Sequence, residues 1–458
     1  MEELNTEIPS IDLGGLTMDD LNTTVSKSET SRDMFADTDQ DVPHEDLTFD
    51  MFEEAKRLDD IIDVNKEETK TSAPKIDTTD YTVPEGAKYI MLESKPLVKC
   101  LSQLSTVIEL NSPRAVSRGI SIKVIDDKNI DVICPNELYY FKTSLEAEST
   151  VDAGSIIFIE YMFLTKIARF IPPKVLIYSM DETVGAQTIT KYYIRLTTGD
   201  LELINTNLID SDIKRLNFEF DILMDKPMSI LNTDETYRKI STMIKLLPFE
   251  SDSPRRRLHA HDNLTSFRSA LIFSCTDLNL PNIQLDIRTA NYLMKACQHC
   301  GTGETLMFVP TTSETIPRHA IVYGNTVMVT NYASTNEDPK LKEVLTELPD
   351  MTVVDYSQLK YQLDYATSIT YAMGTVTFEN SNGTLLGKLK LQNGSESPIE
   401  IPTSGKLNIP EGTKFKVNTK TLLTSLNSLD PSLETSLGFK NGILYLTNSD
   451  IKIALVTI

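Results

Sequence analysis

The sequence has no run approaching the roughly 18 apolar residues that a helix needs to cross a bilayer, which excludes a helical membrane anchor. It opens on Met1-Glu2-Glu3, where a secretory signal would carry a basic start and an apolar stretch, so a cytoplasmic protein is expected. Its five cysteines (100, 134, 275, 297 and 300) are an odd number scattered over 458 residues, which excludes a disulfide framework. No G-x-x-x-x-G-K-[ST], G-x-G-x-x-G, H-E-x-x-H or G-x-S-x-G string occurs in a fitting context. Gly301-Thr302-Gly303 follows a helix instead of opening one, so it is a turn and not a phosphate cradle. The adjacent pairs Asp59-Asp60 and Asp126-Asp127 have no second carboxylate cluster beside them, as two-metal chemistry would require. The five histidines show no nucleophile partner. Neither catalysis nor a cofactor is expected.

Cys297-Gln298-His299-Cys300 is the one metal-like or redox-like string. It ends a helix, whereas a reactive C-x-x-C sits at a helix N-terminus, where the dipole lowers the thiol pKa. A zinc site would need two further ligands, for which His259 and His261 are the candidates. The alternative reading, Cys297 buried on the helix stripe and Cys300 near the C-cap, is preferred, and no metal is expected.

What the chain does have is acid, unevenly placed. The net charge is −22, but residues 1–80 alone hold 23 acidic against 7 basic residues. The rest holds 43 acidic and 37 basic residues, near balance, and a balanced body can still collect its bases on one face. Residues 1–84 are expected to form an acidic tail, largely disordered on its own. Within it, Leu47, Met51, Ala55, Leu58 and Ile62 recur at helical spacing, predicting an amphipathic helix over 45–64. That helix either packs on the body of its own chain or docks in an apolar groove.

Beyond the tail one phrase is written three times, about 130 residues apart. It runs from Ser155 (S-I-I-F-I-E-Y-M-F-L-T-K-I-A), from Asn282 (N-I-Q-L-D-I-R-T-A-N-Y-L-M-K-A) and from Lys414 (K-F-K-V-N-T-K-T-L-L-T-S-L). Each copy reads as strand, helix, breaker and strand, followed by a hairpin turning at Thr198-Gly199-Asp200, Gly324-Asn325 or Asn448-Ser449-Asp450. A fixed period means modules rather than one large core, which excludes most enzymes of this size. The modules are predicted at 85–220, 221–350 and 351–458, each helix, strands, helix, strands. First helices are predicted from Ser94, Asp234 and Ser357 as N-caps. In the first, Leu97, Cys100, Leu101, Leu104 and Ile108 are expected inward, with Lys95, Lys99, Ser102, Gln103 and Thr106 outward. In the second, Tyr237, Ile240, Ile244 and Leu247 are expected inward, with Arg238, Lys239, Thr242 and Lys245 outward. The stretch between Phe249 and Pro281 gives room for about two strands.

This order of elements resembles the DNA polymerase sliding clamp of the bacterial beta-subunit type, in a phage-encoded version. The likeness covers about Lys88 to Ile458 and rests on element order, since the family has no short invariant motif. L-V-K-C-L-S-Q-L-S-T-V-I-E with the loop N-S-P-R-A-V-S-R-G resembles the clamp's opening helix and loop, and L-D-I-R-T-A-N-Y-L-M-K-A its domain-two second helix. Three features depart from it: the family usually has three strands in the 249–281 region, its peptide-pocket segment has only a loose counterpart at His261-Asp262-Asn263-Leu264, and a long acidic tail is not general.

The resemblance implies an α+β fold of three tandem clamp-type domains, each two helices packed on antiparallel sheets, assembling head-to-tail as a homodimeric ring around double-stranded DNA. Its partners would be a DNA polymerase and a clamp loader, in a replication processivity role without catalysis. The DNA-facing set would be Lys95, Lys99, Arg238, Lys239, Lys245 and Lys360 on first helices and Lys166, Arg169, Arg288, Lys295 and Lys420 on second helices. Arg114, Arg118, Arg255, Arg256 and Arg257 would lie at the rim. These reach phosphates and carry no sequence information. A partner-peptide groove would lie near Leu264, Leu348, Val456 and Ile458. Two other readings stand beside it: a clamp-like transcription accessory factor whose acidic tail binds RNA polymerase, and a β-rich virion structural or assembly protein.

Overall fold

The computed structural model describes residues 79–184, 187–203, 208–247, 257–269, 271–312, 318–331, 344–369, 374–382, 384–390, 396–401 and 407–457. The amphipathic segment 45–64, Arg255, Arg256 and Ile458 fall outside them.

The helices begin where strands end. Strand Lys88–Glu93 runs straight into helix α1 (Ser94–Leu104), and Ile156–Glu160 into α2 (Tyr161–Ile167). A short helix α3 (Asp210–Leu216) follows, then α4 (Thr233–Leu246), α5 (Ile287–His299), α6 (Tyr356–Ile369) and α7 (Thr419–Ser428). With no loop between strand and helix, the cap is supplied by the last extended residue. The Asn232, Asp286 and Asn418 side chains accept from Glu235 N, Thr289 N and Thr421 N, and Asp355 accepts from Gln358 N at 3.0 Å. The expected caps Ser94, Asp234 and Ser357 are therefore corrected by one or two residues. Ser94 is the first helical residue and its N–H is taken by Pro173 O at 2.8 Å.

The three predicted hairpins all form, between Gln187–Leu196 and Gly199–Leu203, Arg318–Tyr323 and Thr326–Asn331, and Ile443–Asn448 and Ile451–Val456. The 249–281 region holds three strands, not two: Arg257–His261, Leu264–Arg268 and Ile272–Asp277. The third fits because Asp262 and Asn263 both take positive φ (48° and 67°), closing a hairpin with a turn of only two residues.

The sheets do not respect the sequence modules. One eight-stranded sheet joins Gly119–Val124, Asn129–Pro135, Tyr139–Glu146 and Ile156–Glu160 to Ser229–Leu231, Leu306–Pro310, Arg318–Tyr323 and Thr326–Asn331. Its seam pairs Met328 with Phe141 and Val329 with Tyr140. A second eight-stranded sheet is seamed by Ile272–Asp277 against Ile451–Val456. A five-stranded sheet ends on Gly199–Leu203 and a four-stranded sheet on Glu396–Ile401, and among the described residues no further strand pairs with either edge.

Six helices cover one side of these sheets, packed in the order α2, α1, α5, α4, α7, α6. Inward positions of helices and strands merge into one extended core, including Leu97, Leu101, Phe141, Ile240, Leu293, Phe378 and Leu422. The opposite sheet face carries two smaller apolar clusters, each at a seam. One holds Tyr140, Val309, Ala320 and Val329 under the connection containing Leu216. The other holds Cys275, Ile443, Tyr445 and Ala454, with Leu345 and Leu348 packed against it.

Candidate nucleic-acid interface

The helical layer presents cations, but fewer than the stripes suggest. Lys95, Lys166, Lys245, Arg288 and Lys420 are exposed on α1, α2, α4, α5 and α7, while Lys99, Arg238 and Lys360 are half-buried. Residue 169 lies in the 3-10 turn after α2. Arg257 is exposed at the start of its strand and donates to Gln284 Oε1 at 3.1 Å. Arg114 and Arg118 flank a single 3-10 turn after α1. Arg118 donates to Ser112 O at 3.0 Å and lies 3.6 Å from Glu160, which holds the loop against α2.

Two expected members are corrected. Lys239 is 2% exposed and Lys295 7% exposed, and neither lies on an open face. Ser102, Gln103 and Thr242, also expected outward, are buried. An isolated helix on a sheet buries one stripe; a helix in a row also buries its flanks. Lys295 Nζ reaches Ser102 Oγ on α1 at 3.4 Å. Lys239 Nζ donates to Glu235 Oε1 and to Asp277 O, both at 2.5 Å, and pairs with the Asp450 carboxylate. Burial works against this ammonium, but Asp450 and Glu235 outweigh it and hold its pKa above the usual lysine range. Arg238 pairs with the other Asp450 oxygen at 3.0 Å.

Acids thus sit at the junctions between modules. Asp286 caps α5 and accepts from Tyr139 Oη at 2.5 Å; beside it Arg288 lies 3.5 Å from Glu109. Burial raises the Glu109 pKa, with Arg288 opposing. Asp450 plays the matching part at the other seam. Sequence pattern could not assign these acids, because each reads as an ordinary turn or cap residue.

Between α1 and the hairpin turn at 324–325 lies a cavity of about 330 Å³, lined by Lys95, Lys99, Gln103, Ser144, Glu304 and Asn325. Lys99 Nζ stands 5.7 Å from the Tyr323 ring centroid, and Tyr323 Oη accepts from Gln103 Nε2. The cavity sets two lysines against one carboxylate, Glu304, among hydroxyl and amide neighbours.

On the opposite face, Leu264, Leu348, Phe273, Val344 and Met351 pack half-buried against the Cys275–Tyr445 cluster. Leu264 and Leu348, 84 positions apart, therefore share one apolar surface. Val456 is half-buried at the end of the last strand, its N–H bonded to Leu271 O at 3.0 Å.

Cys297 is buried on α5 and Cys300 forms its C-cap. Among the described residues no group of three or more His, Cys, Asp or Glu side chains is placed to hold a metal, and no helix is long and apolar enough to cross a membrane.

No protein-family description matches this sequence, and no curated protein does. Solved structures do. The Caulobacter crescentus beta sliding clamp superposes with a TM-score of 0.64 at 12% identity, over 82% of this chain and 100% of that one. The DNA polymerase III beta chain of Streptococcus pneumoniae gives 0.63 at 13%, over 81% and 99%. The Bacillus subtilis DNA polymerase sliding clamp gives 0.63 at 12%, again over 81% and 99%. At such identity the likeness is one of architecture: helices in a single layer, sheets seamed between modules, and three tandem repeats give this chain the fold of the bacterial DNA polymerase sliding clamps.

Proposed function

We propose that the protein is a DNA sliding clamp, a processivity factor that encircles duplex DNA and tethers a polymerase. The observation that carries this reading is the recurrence of exposed cations on one layer: Lys95, Lys166, Lys245, Arg288 and Lys420 come from five different helices of one row. A solvated face on one helix needs no explanation, but repetition along a row drawn from three modules favours a polyanion. Arg114, Arg118 and Arg257 extend the set toward the edges. Lys239 and Lys295 are left out of it, because their charge is spent inside the protein.

The proposed domains are 85–220, 221–350 and 351–458. The seams support closure into a head-to-tail homodimeric ring. Both seams within the chain join the last strand of one module's final hairpin to the third strand of the preceding module's first half. The free edges Gly199–Leu203 and Glu396–Ile401 are the third copies of these two partners, so a second copy would complete two more seams. Tyr361 and Tyr365, one turn apart on α6, are 71% and 48% exposed, an apolar pair of the kind that such a contact buries.

In this reading a polymerase and a clamp loader insert apolar-acidic peptides at the second seam, on the surface formed by Leu264, Leu348 and Val456. No catalysis is assigned to the chain. The deciding experiment loads the full-length protein onto nicked circular DNA and onto the same DNA linearised. Retention on circles with loss from ends supports encirclement; equal retention, or none on either, overturns it.

A further inference from the structure

The two internal junctions between modules are built from the same positions, and the third copy of those positions is exposed. The first helices α1, α4 and α6 start at Ser94, Thr233 and Tyr356. Their eighth and eleventh residues are Leu101 and Leu104, Ile240 and Met243, and Leu363 and Ala366. All six are fully buried in the core, which fixes the alignment of the three helices. The sixth and tenth residues are then Lys99 and Gln103, Arg238 and Thr242, and Tyr361 and Tyr365. The final hairpins align in the same way, closing at Leu196↔Gly199, Tyr323↔Thr326 and Asn448↔Ile451, each around a two-residue turn.

At both internal junctions the sixth position of a first helix meets the final hairpin of the following module. Lys99 Nζ stands over the Tyr323 ring, whose hydroxyl accepts from Gln103 Nε2. Arg238 donates to Asp450, in the last hairpin turn, at 3.0 Å. The tenth position is closed off at both, Gln103 being 1% and Thr242 3% exposed, whereas Tyr365 is 48% exposed. For α6 the following module is the first one, and the matching hairpin is Leu196–Gly199. Its turn residues Thr197 and Thr198 are exposed within one chain.

We infer that Tyr361 and Tyr365 seat on the Leu196–Gly199 hairpin of a second copy of this chain, making an apolar joint where the two internal junctions are polar. The occupant follows from the repeat: among the described residues, α6 and this hairpin are the one helix and the one hairpin of the pattern without a counterpart. Bulk is complementary as well. At the first junction the ring belongs to the hairpin, as Tyr323, and faces Lys99 and Gln103. At this joint the rings belong to the helix, and the hairpin offers Leu196 and the small Thr198 where Asn325 and Asp450 stand in the other turns. Aromatic side chains supply large contact area and commonly anchor interfaces. The inference rests on the ring reading and adds to it the contact that closes the ring.

Sedimentation equilibrium of the full chain tests it with Tyr361→Arg, Thr198→Asp and the two combined. Tyr361→Arg should raise the dimer dissociation constant on the order of a hundredfold, since an aromatic anchor is lost at each of two joints. Both positions are exposed in the single chain, so the unfolding midpoint of the monomer should stay where it is. Thr198→Asp should weaken the dimer by less. The combination rebuilds the Arg238–Asp450 pair at the third joint and should dimerise on the order of tenfold more tightly than Tyr361→Arg alone. A combined variant no tighter than Tyr361→Arg overturns the inference and leaves the ring reading intact. So does a dimer that Tyr361→Arg leaves unmoved, which would assign the tyrosines to another partner. A native chain that stays monomeric at every concentration overturns the inference and the ring together.

Discussion

Lys239 on α4 and Asp450 in the last hairpin turn, 211 positions apart, form an ion pair with the lysine 2% exposed and the aspartate shared with Arg238. The pair fastens the middle helix layer to the final sheet at the seam between them. Taking Asp450 away leaves a buried ammonium whose remaining partners are Glu235 and the Asp277 carbonyl. Asp450→Ala should therefore cost about 2–4 kcal/mol, somewhat under the usual figure for breaking a buried pair because those partners remain. Lys239→Met should cost less, since Asp450 keeps Arg238. Urea unfolding of both variants checks the order; equal losses would show that the pair is not what fastens the seam.

His319 gives a pH signature. It lies 1% exposed beside the Phe308 ring, centroids 5.3 Å apart, and burial pulls its pKa down to about 4. The unfolded chain binds the proton near pH 6.5, so the stabilising contribution is complete above that value and is lost as pH falls toward 4. The loss is on the order of 3 kcal/mol if the whole shift is realised. Unfolding free energies at pH 7 and pH 4.5 should diverge in the native protein and converge in His319→Leu.

The cysteines separate by burial. Cys134, Cys275 and Cys297 are buried with thiol pKa pushed up to about 12, and Cys100 is raised further, in each case by desolvation first. Cys300, at the end of α5, is half-exposed and only raised. Native alkylation at pH 8 should therefore label one thiol, Cys300, with the other four reacting only on unfolding. Early labelling of Cys297 would contradict the placement of α5 against the core.

Much of this fold could be read from residue spacing, and the reasons for the rest are specific. The hairpins at 199, 324 and 449 are written by alternating apolar residues around turn-formers, and the α1 stripe by Leu97, Cys100, Leu101 and Leu104; both are local signals. The seams are not local. Thr143 and Thr326 hydroxyls meet at 2.9 Å across 183 positions, and neither strand's pattern names its neighbour. Lys239 is expected outward from its helix pattern and Lys295 from the family resemblance, and only the order of helices in the row shows that a neighbouring element covers them. The caps of the first helices moved by one or two residues for a simpler reason: strand leads almost directly into helix, so Glu93, Asn232 and Asp355 take the positions expected of Ser94, Asp234 and Ser357.

The last prediction separates the cations that face outward from those that do not. If Lys95, Lys245 and Lys420 reach phosphates, replacing all three by alanine should weaken equilibrium binding to a short linear duplex and reduce the dependence of log affinity on log salt by about 3, at roughly 0.9 per lost contact. The sequence of the duplex should not matter, because phosphate contacts carry no base information. Lys295→Met is the internal control. It removes the same charge from the same helical layer, but from a side chain turned toward Ser102. Its salt slope should match the native protein, whatever it does to stability. A triple variant with an unchanged slope would place the phosphate contacts elsewhere on the surface, and a Lys295→Met variant whose slope falls would mean that α1 and α5 separate on binding DNA.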